Sequence, residues 1–336
     1  MRPVRIEYGE NDHCSQRFAL ADGWLRAEGR QSEGRVGHAH ARLASAEDIV
    51  SLATKQLAHD PLLFLHSANV GCVECDDARA SVTLEQDEAF SIDQRIAGCT
   101  ASIQSGKWSG QGLAWAFINR CLAYVDHHDF DRALSDCNEA IRLDPKHPFA
   151  FHNRGLAYQG KGDLDHAIGD YSEAIRLDPN YAPAFNNRCG AYDDHSDFDR
   201  ALSDCNEAIR LDPKLPFAFN DRGTAYLGKG DHDHAIADYN EAIRLNPKYV
   251  FAFNNRGNAY EAKGDHDHAI ADYNEAIRLD PSITAAFTNR GLAYEAKGDR
   301  EHARSDFNAA LAMPQKYANG QWAHETARQH LSALGD

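Results

Sequence analysis

From about residue 113 onward the apolar and polar positions of this chain recur with a fixed period. The seventeen residues KGDHDHAIADYNEAIRL at Lys229–Leu245 return unchanged at Lys263–Leu279, displaced by 34. A longer word, DFDRALSDCNEAIRLDPK at Asp129–Lys146, returns at Asp197–Lys214, displaced by 68, twice that period. A period of this length marks a stacked repeat array. Aligning on it gives six units: 114–147, 148–181, 182–215, 216–249, 250–283 and 284–317. Position 4 is Phe117, Phe151, Phe185, Phe219, Phe253 and Phe287, and position 11 is Tyr124, Tyr158, Tyr192, Tyr226, Tyr260 and Tyr294. Alanine holds position 20 (Ala133 to Ala303) and position 27 (Ala140 to Ala310) in every unit.

Each unit divides into two helices at Gly-Asp, as at Gly162-Asp163, Gly230-Asp231, Gly264-Asp265 and Gly298-Asp299. Glycine permits the left-handed turn that ends one helix, and aspartate caps the next. Small alanines let helix backbones approach, with Phe and Tyr filling the space beside them. Pro145, Pro179, Pro213, Pro247 and Pro281 end the second helix and turn the chain into the next unit.

These positions resemble the tetratricopeptide repeat, with its large apolar or aromatic residue at 4, Tyr at 11, Ala at 20 and 27, and Pro near the end. The resemblance covers about residues 114–317. It implies an all-α, right-handed superhelical solenoid with N- and C-terminal capping helices. One feature departs from the family: position 7 is Arg in all six units (Arg120, Arg154, Arg188, Arg222, Arg256, Arg290) and position 23 is Asp (Asp136, Asp170, Asp204, Asp238, Asp272, Asp306). Charges that recur together on facing helices predict a partly buried ion pair within each repeat; arginines that read a ligand are the competing reading.

Domain organisation follows from the period. Residues 1–92 are expected to be a mostly irregular extension, with a short extended piece at Arg5–Tyr8 and a helix over 46–58. Residues 93–112 read as a capping helix and linker, because DQRIAGCTASI at Asp93–Ile103 matches DRALSDCNEAI at Asp131–Ile141. Six repeats fill 113–317, and 318–336 form a closing helix with Trp322, Ala323, Ala327 and Leu331 toward the last repeat.

The chain carries 35 Lys+Arg against 51 Asp+Glu, a net charge of −16, and both the first 112 residues and the remainder are acidic. Nucleic-acid phosphates and anionic membrane surfaces are therefore disfavoured partners. Leu62–Leu65 is far too short an apolar run to cross a bilayer. MRPVRIEYGENDHC is no secretory signal, so a cytoplasmic location is expected. A start near Val50 would instead bring LLFLHSANVG, flawed by Pro61 and His66, close to the N-terminus and imply export or a periplasmic location.

Candidate chemistry is sparse. Cys72 and Cys75 form a CxxC without a second pair for a metal site or the strand–helix setting of a redox motif, so they read as loop cysteines. In units one and three, Cys121 and Cys189 replace the usual Gly at position 8, and Cys137 and Cys205 replace the aromatic at position 24. A volume-conserving exchange and a disulfide formed in an oxidising compartment are both open. His232, His234, His266 and His268 read as solvated turn residues rather than metal ligands. GxSxG, a phosphate-cradling loop ending in Lys-Ser/Thr and HExxH are absent from the sequence, so neither catalysis nor a cofactor is expected.

The resemblance implies that first helices line a concave partner-binding face through positions 2, 5, 6, 9 and 12. Position 6 carries Asn119, Asn153, Asn187, Asp221, Asn255 and Asn289, and position 5 adds Asn186, Asn220 and Asn254. Trp115, Phe149, Phe217 and Phe251 stand at position 2. Such amides can pair with the backbone of an extended peptide while the aromatics anchor it, or they are merely polar residues on a solvated face. Position 6 offers no Lys or Arg, which argues against the carboxylate clamp of chaperone-type members. The expected function is a non-catalytic adaptor for a protein or peptide, with a self-assembling solenoid as the alternative and a redox or metal role of the CxxC less favoured.

Overall fold

The computed structural model describes residues 4–6, 16–18, 91–314 and 319–335. The expected helix at 46–58, Cys72 and Cys75 lie outside these. Two short strands, β1 (Val4–Ile6) and β2 (Gln16–Phe18), pair antiparallel with Arg5 opposite Arg17; β1 overlaps the extended piece read from Arg5 onward. All other described elements are helices, and the chain divides into two compact units, Met1–Pro179 and Asn180–Asp336.

The first unit holds α1 (Ile92–Gln104), α2 (Gly110–Asp126), α3 (Phe130–Leu143), α4 (Pro148–Gly160) and α5 (Leu164–Leu177). In the second unit are α6 (Ala182–Asp194), α7 (Phe198–Leu211), α8 (Pro216–Gly228), α9 (His232–Leu245), α10 (Val250–Ala262), α11 (His266–Leu279), α12 (Thr284–Ala296), α13 (Arg300–Ala312) and α14 (Gly320–Leu334). Within each unit of the chain, a repeat's first helix packs on its own second helix and on the first helix of the next repeat.

The helix boundaries have local causes. Asp129, Asp163, Asp197, Asp231, Asp265 and Asp299 are N-caps whose carboxylates accept the backbone N–H three residues on. The preceding residue is left-handed: Gly230 has φ 78°. Units one and three place His128 and Ser196 there at φ 59° and 61°, a conformation that L side chains rarely adopt. Alanines at positions 20 and 27 are wholly buried in all six repeats. The aromatic at position 24 lies flat against glycine 8 of its own repeat, so that a Cβ on Gly223 would stand 2.8 Å from Tyr239 Cε1. Position 8 can therefore carry a side chain only where that ring is gone. In units one and three both residues are cysteine, and they are bridged: Cys121–Cys137 and Cys189–Cys205 are disulfides. The exchange of size and the covalent bond belong to one substitution.

Each recurrent Arg–Asp pair is a two-pronged contact. Nε and Nη2 of position 7 donate to the two oxygens of position 23 at 2.6–2.8 Å, six times over. The aspartate side chains are 7–9 % exposed and the arginines 16–22 %. Each guanidinium also lies 5.5–5.7 Å from the ring of the position-4 phenylalanine. In four of them (Arg154, Arg222, Arg256 and Arg290) the remaining nitrogen reaches back to Asn138, Asn206, Asn240 or Asn274 of the preceding repeat at 2.5–2.7 Å, and in Arg120 it donates to Thr100 at 2.9 Å. The arginines are thus bound within the protein rather than free to read a ligand.

At the ends, α1 begins with a capping box of Ser91 and Gln94, buries Cys99, and pairs Arg95 with Asp126 of α2. In α14, Ala323 and Ala327 are buried and Leu334 joins the Phe307 cluster. Trp322 corrects its expected inward placement: it is 47 % exposed, while its neighbour Ala323 faces the last repeat.

Candidate partner-binding face

The first helices carry the residues read as a binding face, and the structure gives their asparagines a use of their own. In the second unit, Asn186 Nδ2 donates to Asp221 Oδ2 (3.0 Å), Asn255 to Asn220 Oδ1 (3.1 Å), and Asn289 to Asn254 Oδ1 (3.1 Å). Neighbours within a repeat close the chain, with Asn220 donating to Asp221 (3.1 Å) and Asn254 to Asn255 (3.4 Å). In the first unit Asn153 donates to the Ile118 carbonyl at 3.3 Å. Asn153, Asn186, Asn220, Asn254 and Asn289 are buried, and Asn119 and Asn187 are half-buried. These amides zip successive first helices together. Each keeps hydrogen-bonding capacity beyond the bonds named, since an amide has two donors and two lone pairs.

The aromatic residues at position 2 behave differently. Trp115 is 46 % exposed and Phe251 37 %, whereas Phe149 and Phe217 are half-buried. Position 34 extends them into short rows: Trp115, His147 and Phe149 in the first unit, with centroids 5.2–6.5 Å apart, and Phe217, Tyr249 and Phe251 in the second, at 5.1 and 6.2 Å. Sequence reasoning missed His147 and Tyr249, since this position varies among His, Tyr, Leu and Ile from repeat to repeat.

Three of the four DHDH histidines have ordinary partners, while His232 is half-buried with its Nδ1 unbonded. His234 and His268 bond their own N-cap aspartates at 2.7 Å and stack on Tyr226 and Tyr260, and His266 bonds Glu261 at 2.8 Å. Among the described residues no group of three His, Cys, Asp or Glu could hold a metal ion. His152, buried beside Asn153, has its pKa lowered to about 4 by desolvation and stays neutral.

Family models described as "Tetratricopeptide repeat" match residues 148–181, 250–283 and 284–317, and one described as "TPR repeat" matches 223–264. The chain belongs to the tetratricopeptide repeat family. A tetratricopeptide repeat protein of Parabacteroides merdae has the same fold (TM-score 0.59, 18 % identity, 73 % of this chain and 93 % of that one). So has PilW, described as a type IV pilus biogenesis factor (TM-score 0.56, 16 % identity, 63 % and 98 %). PilF of Pseudomonas aeruginosa is a further structural relative (TM-score 0.52, 17 % identity, 63 % and 96 %). A different similarity links 68 residues of the chain, 57 % identical, to an aminoglycoside N(3)-acetyltransferase IV of Salmonella; they span 26 % of that enzyme and 20 % of this chain. No helix among the described residues is long and apolar enough to cross a membrane.

One tetratricopeptide position in this face titrates unusually. Asp221 stands where the five other repeats have asparagine, and burial, with Asp193 and Asp194 nearby, pushes its pKa up to about 7. The folded chain then holds a proton that the unfolded chain releases in the ordinary carboxylate range. Stability from this group is present at acid pH and lost as pH rises toward and through about 7. Asp221→Asn restores the residue of the other repeats. It should match the parent near pH 4 and exceed it by roughly 2–4 kcal/mol at pH 8. Urea unfolding at the two pH values checks this, and an equal difference at both would refute the shift.

Proposed function

We propose that this protein is a non-catalytic interaction scaffold whose first-helix faces bind an extended segment of a partner protein or peptide. The observation that carries the reading is the pair of aromatic rows, each with a large ring left exposed on a first helix that also carries a buried or half-buried asparagine, an arrangement of apolar anchors near polar amide groups. Trp115 and Phe149 would anchor the segment on the first unit, and Phe217 and Phe251 on the second. Asn119, Asn153, Asn187, Asn220, Asn254, Asn255 and Asn289 set the spacing of the helices and offer their spare amide groups to the segment's backbone. A net charge of −16 favours basic or neutral partner segments and disfavours nucleic acid and anionic membranes. PilW and the acetyltransferase lend the fold and a local similarity; neither pilus biogenesis nor acetyl transfer is part of the reading.

The test is capture of partners from the native host by the full chain and by Trp115→Ala/Phe251→Ala, with helicity followed by circular dichroism. Loss of the captured proteins from a variant of unchanged helicity supports the reading. Undiminished capture, or light scattering that finds the chain bound only to itself, overturns it.

A further inference from the structure

Because the repeats are near copies, the places where several departures fall together are informative. Between the third and fourth repeats four do. Position 6 is Asp221 instead of asparagine, and position 9 is Gly190, where the others have Leu122, Leu156, Thr224, Asn258 and Leu292. Position 12 is Asp193, which no other repeat has, and position 24 is the bridged Cys205 in place of a ring.

The lost ring has a consequence for hydrogen bonding. Where tyrosine stands at position 24, its hydroxyl bonds a polar group of its own first helix: Tyr171 donates to Gln159 at 2.8 Å and Tyr273 to Asn258 at 2.9 Å, and Tyr239 meets the Thr224 hydroxyl at 3.3 Å. Cys205 has no hydroxyl to give, and Asp193 Oδ1 is buried with no donor. Asn186 is 7 % exposed; its Nδ2 is spent on Asp221, and its Oδ1 is likewise buried without a donor. Both oxygens of Asp221 face amides, and the charged groups acting on it among the described residues are the aspartates Asp193 and Asp194. The first repeat is the internal control. It carries the same disulfide and an identical second helix, but Leu122 and Val125 at positions 9 and 12 make that spot apolar. Losing the ring does not by itself require acceptors; the third repeat adds them.

We propose that Asn186, Asp193 and Asp221 form a site for a primary ammonium, filled by the Nζ of a lysine in the partner segment that lies along α6 and α8. A lysine ammonium brings three donors and no acceptor, matching a site whose side chains offer acceptor oxygens in excess of donors. Arginine fits less well, because its planar fork needs two coplanar free oxygens, and both Asp221 oxygens already take amides. The aromatic row of Phe217, Tyr249 and Phe251 begins on the same helix as Asp221 and offers a surface for the lysine methylenes. Burial, with further aspartates nearby, keeps protons on both carboxyls, Asp193 up to about 6 and Asp221 up to about 7, and a cation seated between them would favour their ionised forms.

The inference rests on the protein-binding reading, and its test separates the two. Random decapeptides are selected on the full chain, and the selected peptides are remade with each lysine changed to glutamine or arginine. Affinities are then measured for the parent and for Asp193→Asn/Asp221→Asn, a variant that keeps the shape of both side chains. Charge-assisted bonding predicts that lysine to glutamine weakens binding to the parent about 10–100-fold, that arginine restores only part of it, and that the variant binds both peptides within about threefold. Selected peptides without lysine, equal binding of the lysine and glutamine forms, or discrimination that survives in the variant would each overturn the ammonium site and leave the scaffold reading intact. A library that yields no binder removes the scaffold reading itself, and the site with it.

Discussion

Asp238→Asn is expected to destabilise the chain by about 3 kcal/mol, near the lower end of the 3–5 kcal/mol typical of stranding one buried charge. The carboxylate of Asp238 is 9 % exposed and takes two hydrogen bonds from Arg222, at 2.6 and 2.7 Å. Neutralising it leaves a guanidinium held over Phe219 and bonded to Asn206, with no anion to answer it. Arg222 keeps a 21 % exposed side chain, and the water it can still reach keeps the cost toward the lower end. In a stacked array the loss falls on the fourth repeat and its neighbours, so it should appear as earlier unfolding of that region. Replacing both partners, Arg222→Met with Asp238→Leu, should return stability to within about 1 kcal/mol of the parent, because well-packed apolar side chains commonly substitute for a buried pair without loss. Urea titration followed by circular dichroism measures both. A single-variant loss under about 1 kcal/mol would show that these pairs behave as exposed ones.

The second large effect concerns the two disulfides. Each closes a loop of 16 residues, which on chain-entropy grounds stabilises by about 3 kcal/mol. Reducing both should lower stability by about 6 kcal/mol, taking the bridges as additive because they lie in different compact units of the chain. Repacking offers a sharper comparison. Cys189→Gly with Cys205→Tyr rebuilds the combination seen at Gly223 and Tyr239, restoring a buried ring in place of the cross-link. That variant should recover most of what Cys189→Ser with Cys205→Ser loses, and it should be indifferent to reductant at the third repeat. Thiol titration with and without reductant, together with unfolding midpoints, tests the pair. A parent whose stability does not respond to reductant contradicts the prediction.

Much of the fold follows from residues that recur in register. The six arginines and six aspartates announced their pairing because they stand 16 residues apart on the two helices of one repeat, where short turns leave little freedom. Asp caps, buried alanines and the split of each repeat into two helices were legible for the same reason. The face was only half legible. Asn220, Asn254 and Asn289 were visible as a ladder, but their partners are 35 residues away, in an adjacent repeat. Trp322 is part of a pattern that suits an amphipathic helix, yet the angle at which α14 docks turns it outward and Ala323 inward.

Sequence alone therefore determined the family, the all-helical repeat, its period and the contacts inside each repeat. These are local in the chain, and one copy of the motif specifies them for all six. Tertiary structure decided the rest: that asparagines of successive repeats bond one another, that the two cysteines within a repeat are close enough to be bridged, and that Asn186 of the third repeat bonds Asp221 of the fourth. The period says how often a residue recurs. Only the stacking of helices says which of its neighbours it will touch.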